Sequence, residues 1–433
     1  MNAPEKSFTV FLIIWSGQLL SKVGSGISAF ALGVYLLQQT GSSSSYSFLL
    51  LAAFLPAVML APVGGVIADR KDRKQMMAVG DLGSSLGVFF VVVMLLLQPK
   101  EHWPIYLGVA ISSLFAAFQS PAFKASVTEM LDEKAYAKAG GLIQLTEAAQ
   151  YLLAPFVAAF LLTKFSILII LAIDMLTFIA AALSVILVSK NAGRGEEKST
   201  AKSFRKDLTE GMRYLAGNKI VLHLLYLTVV VTFLTGILQA LFVPIVLAMS
   251  DTATLGAVQS IAASGMLLSS LWIGISSKRY EQTRVLSSAL FVASIFYILI
   301  GASTNTILIT CTAFCFFSTL PFVNSSLELL FRQNIDNKMQ GRIWSLISFI
   351  SQLGMLMAFT VAGPLADHVF NPLLANTGRF AETMGTTIGA GVSRGSGVMV
   401  ILCGFLLLFY SLLSGIAGRR RRMSIARRLG AER

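Results

Sequence analysis

Charge is scarce in this chain. Only 13% of its 433 residues are Asp, Glu, Lys or Arg, against about 25% in a typical soluble domain. That shortage excludes a soluble enzyme of ordinary surface composition. Cysteine is scarcer still. Cys311, Cys315 and Cys403 all lie inside apolar runs, so they read as small core hydrophobes and not as a disulfide framework. Cys311 and Cys315 share a helical face, but a metal site there would need further ligands nearby, and no metal is expected. Long polar linkers are missing except at residues 190–218. No soluble catalytic module or phosphate-binding loop is found. The glycine pair in "GSGIS" (24–28) lies within an apolar run and follows no strand, so neither ATP-driven transport nor a cofactor is implied. The first apolar run is too long for a signal peptide and no small-x-small cleavage site follows it, so it is expected to remain as a helix.

What is abundant is apolar sequence. Hydrophobic residues make up 55% of the chain, and long runs of them recur at intervals of roughly thirty residues, each exceeding the about 18 needed to cross a bilayer as a helix. Twelve spans are expected, at 8–37, 45–68, 76–98, 104–128, 141–163 and 166–189, then 220–248, 254–276, 285–303, 306–330, 343–365 and 396–416. The fold class is therefore an all-α polytopic membrane protein.

Cationic residues orient these spans. If both termini are cytoplasmic, 29 of the 34 Lys and Arg residues fall on the cytoplasmic side. Lys100, Lys164, Arg379 and Arg394 fall on the other, and Lys22 lies inside the first span. By the positive-inside rule this places both termini in the cytoplasm. The net charge of +13 is accordingly a property of juxtamembrane loops and of the tail "GRRRRMSIARRLG", which anchors topology and touches anionic lipid headgroups. Nucleic acid is not an expected partner.

Residues 190–218 divide the chain into an N-terminal six-helix half (1–189) and a C-terminal one (219–417), with a basic tail at 418–433. Within the linker, Phe204, Leu208, Met212 and Leu215 share one face of an expected amphipathic helix lying along the membrane surface. The halves also echo each other. "EMLDEKAYAKAGGL" (129–142) aligns with "QNIDNKMQGRIWSL" (333–346), pairing Asp132 with Asp336 and Lys134 with Lys338. Gly65…Asp69-Arg70 is answered by Gly274…Lys278-Arg279. Parallel six-span repeats with a substrate site between them describe a large class of secondary transporter.

One dense charged cluster remains, in "GGVIADRKDRKQ" (64–75). It resembles the G-x-x-x-D-R-x-x-R-[K/R] signature of the major facilitator superfamily, which follows the second span, with Gly65, Asp69, Arg70, Arg73 and Lys74 at its positions. "GQLLSKVGSGISAFALGVYLLQQTGS" (17–42), "IDMLTF" (173–178) and "GPLADHVFNPLL" (363–374) resemble the drug:H+ antiporter branch, which includes macrolide-efflux proteins. Gly65 suits close helix approach, and Asp69 and Arg73 are spaced for local pairing. With Glu129 at the cytoplasmic end of span four, the resemblance implies a gating network of Gly65, Asp69, Arg70, Arg73 and Glu129. The branch often carries Gly-Pro in span five; this chain has Ala154-Pro155.

Charges within spans are costly and need a reason. Lys22 and Asp174 are expected at similar depth and could pair. Glu147 has no cation at matching depth in its own span. A carboxyl group in a partly dry cavity can take up and release protons, so Glu147 is the first proton-coupling candidate and Asp174 the second. Asp81 and Glu328 are expected to partner Arg73 and Arg332. Gln18, Lys22, Phe314, Phe317 and Asn324 are the candidate substrate contacts. The expected function is a proton-coupled exporter of small amphipathic compounds, not an enzyme, monomeric in the bacterial inner membrane, with protons and lipids as its other partners. A lipid, lysophospholipid or siderophore exporter of the same fold is the alternative; a non-transporting receptor or structural protein is the different class.

Overall fold

The computed structural model describes residues 8–68, 72–189, 204–276, 281–336, 339–374 and 394–431. Side chains at 61–68, 128–129, 137, 189, 204–208, 341–342 and 413–431 lie outside the description. Its helices are α1 (Phe8–Thr40), α2 (Ser43–Ala68), α3 (Arg73–Leu97), α4 (Trp103–Met130), α5 (Glu133–Lys164), α6 (Ile167–Ser189) and α7 (Phe204–Gly217). They continue as α8 (Lys219–Leu247), α9 (Thr252–Ile275), α10 (Gln282–Ala302), α11 (Thr306–Asn334) and α12 (Gln340–Leu365). A π-helical turn (Ala366–Phe370) and the short α13 (Asn371–Leu374) extend α12, and α14 (Arg394–Ala431) ends the described chain. Among the described residues twelve helices are long and apolar enough to span a membrane, and α7 is not one of them.

Local chemistry sets the helix ends. The Asp72 carboxylate accepts from the backbone N–H groups of Lys74 and Gln75, capping α3. Asn218 and Asn305 cap α8 and α11 in the same way. Between α1 and α2 the chain reverses at Gly41, whose φ of 63° falls in the left-handed region that glycine enters without strain. Asp251 opens α9, and hydrogen bonds from the Thr254 hydroxyl and backbone N–H hold its carboxyl below the ordinary carboxylate value.

The helices form two compact units. The first comprises Met1–Phe204 with Asp251–Ser260, and the second Arg205–Ser250 with Ile261–Arg433. In the first unit α3 packs on α4 and α6, α2 on α4, and α1 on α5 and α6. At Gly87 the α3 and α4 backbones meet, since a Cβ there would stand 2.5 Å from the Gly108 carbonyl oxygen. Small residues permit such approach where hydrophobic driving force between helices is weak. Two apolar clusters occupy this unit. Phe11, Ile14, Met76, Met77, Phe123 and Val185 belong to one, and Leu32, Leu36, Val88, Val91, Leu171 and Phe178 to the other. On α1 and α3 the stretches between the two clusters hold Gln18, Ser21, Ser28, Asp81, Ser84 and Ser85, all buried. The unit thus carries a polar belt between two greasy layers.

In the second unit α10 packs on α11 and α14, and α12 on α8. The connection between α11 and α12 corresponds to the α4–α5 connection of the first unit. Asp132 and Asp336 occupy matching places, each offering its backbone carbonyl to an N–H three residues on. Helix α7 docks here by part of the face read from its sequence, of which the Phe204 and Leu208 side chains lie outside the description. Gly211 and Leu215 are buried, with Gly211 beside Ile343 and Leu346, while Met212 is exposed. Tyr214 and Asn218 pin the same face, since the Tyr214 hydroxyl accepts from the Asp336 N–H and the Asn218 amide donates to the Asn334 carbonyl. These polar anchors hold α7 against the connection between α11 and α12.

Candidate functional site

The polar belt of the first unit holds a buried chain of side chains. The Gln119 amide of α4 donates to Gln18 Oε1 on α1. The Gln18 amide in turn donates to Asp81 Oδ2 on α3 over 2.8 Å. All three residues are at least 96% buried. Asp81 therefore takes its hydrogen bond from Gln18, not from Arg73 as its place in the sequence suggested; Arg73 is held elsewhere. Sequence reading missed Gln119, and its signal was an amide in the otherwise apolar run "FAAFQSPAF".

Lys22 is partly buried one turn along α1, and the carboxylates that act on it are those of Asp81 and Glu147. Its expected pairing with Asp174 does not form. Equal depth does not imply a shared azimuth, and Asp174 lies instead among hydroxyls of Ser25, Ser28 and Thr177.

Helix α5 presents Gln144, Glu147 and Tyr151 at three- and four-residue spacing on one face. Gln144 and Tyr151 are exposed. Glu147 pairs with Lys124 of α4 at 3.4 Å, and their side chains remain 46% and 58% exposed. The cation that Glu147 lacked within its own span thus comes from the neighbouring one. Unsatisfied polar and charged groups do not face hydrocarbon; at membrane depth they line water or protein. The stripe therefore faces water or protein and not hydrocarbon. The Ala154-Pro155 pair sits one helical turn beyond Tyr151, and Ala154 is fully buried. A Cβ at Gly26 of α1 would stand 2.7 Å from the Ala154 Cβ, so the glycine that permits this contact is on α1 rather than α5.

Of the charged loop, Asp69 and Arg70 lie outside the described residues, as does the side chain of Glu129; Gly65 is described only as part of the α2 backbone. Arg73 is placed. Its guanidinium donates to the Ala125 carbonyl of α4 at 2.8 Å, one turn before Glu129. Arg332 and Glu328 form the expected pair at 2.6 Å.

In the second unit, α11 carries the aromatic candidates. Phe316 is the core residue, packed edge-on against Tyr297 and Phe317 at centroid distances of 5.5 Å. Phe314 and Phe317 are partly exposed, and Asn324 is exposed. Phe314 also meets α9, where a Cβ at Gly265 would stand 2.4 Å from the Phe314 carbonyl oxygen. The polar Asn324, seated within a spanning helix, calls for water or protein by the same argument as α5.

Comparison with known proteins places this geometry in a wider group. A sequence model of the Major Facilitator Superfamily matches residues 14–359. Macrolide efflux protein A of Streptococcus pyogenes is 28% identical over 364 residues, covering 83% of this chain and 90% of that protein. The multidrug efflux pump Tap of Mycolicibacterium fortuitum is 22% identical over 372 residues, covering 82% and 89%. Among solved structures, the nucleoside transporter NupG superposes with a TM-score of 0.73 at 14% identity, covering 94% of this chain and 99% of that one; the likeness is one of fold.

Proposed function

The chain belongs to the major facilitator superfamily, and from that premise we propose that it exports small amphipathic compounds of the macrolide or multidrug type in exchange for protons. It does so by alternating access in the bacterial inner membrane, with both termini cytoplasmic. The names of its relatives support the substrate class. The observation that carries the coupling is the half-exposed Glu147–Lys124 pair on a polar stripe of α5, because a carboxylate reached by water and balanced by one cation can exchange that cation's company for a proton. Gln18 and Lys22 on α1, and Phe314, Phe317 and Asn324 on α11, are assigned to the substrate: amphipathic ligands take apolar contact with a few placed polar groups.

Reconstituted in proteoliposomes, the full chain is expected to concentrate a macrolide against its gradient when protons flow the opposite way. Transport indifferent to the imposed pH gradient would overturn the coupling, and no transport of amphipathic compounds would overturn the substrate class.

The charged loop is assigned a gating role. Arg73 ties the loop's end to α4 one turn before Glu129, and Asp69 and Glu129 are assigned to the same network by the family resemblance. Asp69→Asn is expected to slow transport about tenfold or more, equivalent to about 1.4 kcal/mol in the barrier, with membrane levels near normal. Transport at the wild-type rate would remove the gating role and leave the loop as a topology determinant.

A further inference from the structure

Lys22 stands between two carboxylates. Helices α1 and α5 run side by side in one direction, and two contacts fix their register. The Trp15 indole donates to the Leu142 carbonyl at 2.8 Å. Further along, a Cβ at Gly26 would stand 2.7 Å from the Ala154 Cβ and 3.0 Å from Gln150 Cγ. Lys22 lies one turn before Gly26, level with residues 146–150 of α5, Glu147 among them. One turn the other way on the same α1 stripe is Gln18, whose amide holds Asp81 Oδ2 at 2.8 Å. A helical lysine leans toward the N-terminus of its helix, here toward the level of Asp81. The charges that act on Lys22 are accordingly those of Asp81, Glu147 and Lys124.

These charges alternate in sign across four helices. Asp81 is on α3, Lys22 on α1, Glu147 on α5 and Lys124 on α4, with the last link at 3.4 Å. Tyr151, one turn beyond Glu147, is the other titratable group in the field of that carboxylate. Asp174 of α6 is held by its own hydroxyls. With both carboxylates ionised the set is neutral, and Lys22 divides one positive charge between Asp81 and Glu147. Its two ends differ in freedom. Asp81 is 2% exposed and fixed by Gln18, whereas the Glu147 side chain is 46% exposed. Removing the charge of Asp81 leaves Lys22 wholly to Glu147 and favours the ionised form there. Removing the charge of Lys22 does the reverse.

We propose that Lys22 is a shared counterion through which the buried Asp81 carboxylate sets how readily Glu147 takes up a proton. The assignment rests on Glu147 as the proton carrier. Asp81 is then a positioning residue that acts through Lys22, beyond its hold on α1, α3 and α4.

The test reads the proton on Glu147 directly. A carbodiimide labels carboxyl groups in their protonated form. Labelling of Glu147 in the purified full-length protein across a pH series, read by peptide mass spectrometry, therefore reports its protonated fraction without any substrate. Asp81→Asn is expected to lower the midpoint of labelling by about one pH unit, and Lys22→Met to raise it by about as much. Lys22→Arg, which keeps the charge, should stay near the wild type. In a Lys22→Met background, Asp81→Asn should move the midpoint by less than about a third of a unit, because the group that carries the effect is gone. Lys22→Gln takes the place of Lys22→Met in this cycle if the methionine variant does not fold. A midpoint that ignores Asp81→Asn, or follows it equally with and without Lys22, would overturn the shared counterion and leave Glu147 as proton carrier. Labelling of wild-type Glu147 with no pH dependence would overturn both.

Discussion

Glu147→Gln is expected to abolish transport driven by a pH gradient while substrate still binds with near-wild-type affinity. Glutamine keeps the length of the side chain and an oxygen that can accept from the Lys124 ammonium 3.4 Å away, but it cannot carry an exchangeable proton. The folded protein should tolerate the change, because an ion pair this exposed contributes at most about 1 kcal/mol. What is lost is alternation. With glutamate, the pair is neutral when Glu147 is ionised and bears one positive charge when it is protonated. A cationic or polar substrate group and a proton therefore compete for the same carboxylate, which is the elementary requirement for exchange. With glutamine, the pair is positive in every state and the gradient has nothing to act on. Reconstituted vesicles report this as equal transport with and without the gradient, alongside retained ligand binding. A packing role for Glu147 gives the opposite pattern, reduced thermal stability with coupling intact. Gradient-driven transport at the wild-type rate would sink the assignment.

The contrast between Glu147 and Asp81 shows which parts of this molecule are legible in its sequence. Depth along the membrane normal is legible, because hydropathy reports it directly. The span expected at 104–128 is Trp103–Met130, and that at 76–98 is Arg73–Leu97, shifted at its start because Asp72 supplies a cap. Helix outside the membrane is less so. Apolar sequence in the fifth span begins at 141, yet α5 starts at Glu133. Azimuth is not legible at all. Lys22 and Asp174 were matched by depth, but facing is set by how α1 packs on α5 and α6, and Lys22 lies in the field of Asp81 and Glu147 instead. Asp81 was given Arg73, a neighbour on its own chain, and found Gln18 on another helix. A single amide or hydroxyl in an apolar run, such as Gln119, Ser25 or Thr177, carries no signal until others meet it.

Asp81→Leu is expected to lower the stability of the protein more than any substitution in the charged loop, whereas Asp81→Asn should leave stability close to the wild type. The reason is the direction of the buried chain. Gln119 donates to Gln18, and Gln18 donates to Asp81, so every link runs toward an acceptor at residue 81. Asparagine keeps an oxygen there and the chain survives. Leucine removes it, and the Gln18 amide, 2% exposed, has no water to turn to. An orphaned buried donor costs about 1–3 kcal/mol, and the bulkier branched side chain must also fit a position that is only 2% exposed. Overpacking of this kind adds about 1–3 kcal/mol. Thermal unfolding in detergent, followed by size-exclusion chromatography, should separate the two variants clearly. Because the chain ties α1, α3 and α4 together, the loss should be partly recovered by adding Gln18→Leu and Gln119→Leu together in the Asp81→Leu background, which removes both amides, whereas Gln18→Leu alone strands the Gln119 amide. Equal stability of the Leu and Asn variants would show that the three helices are held by packing alone, with the buried polar chain contributing nothing to their association.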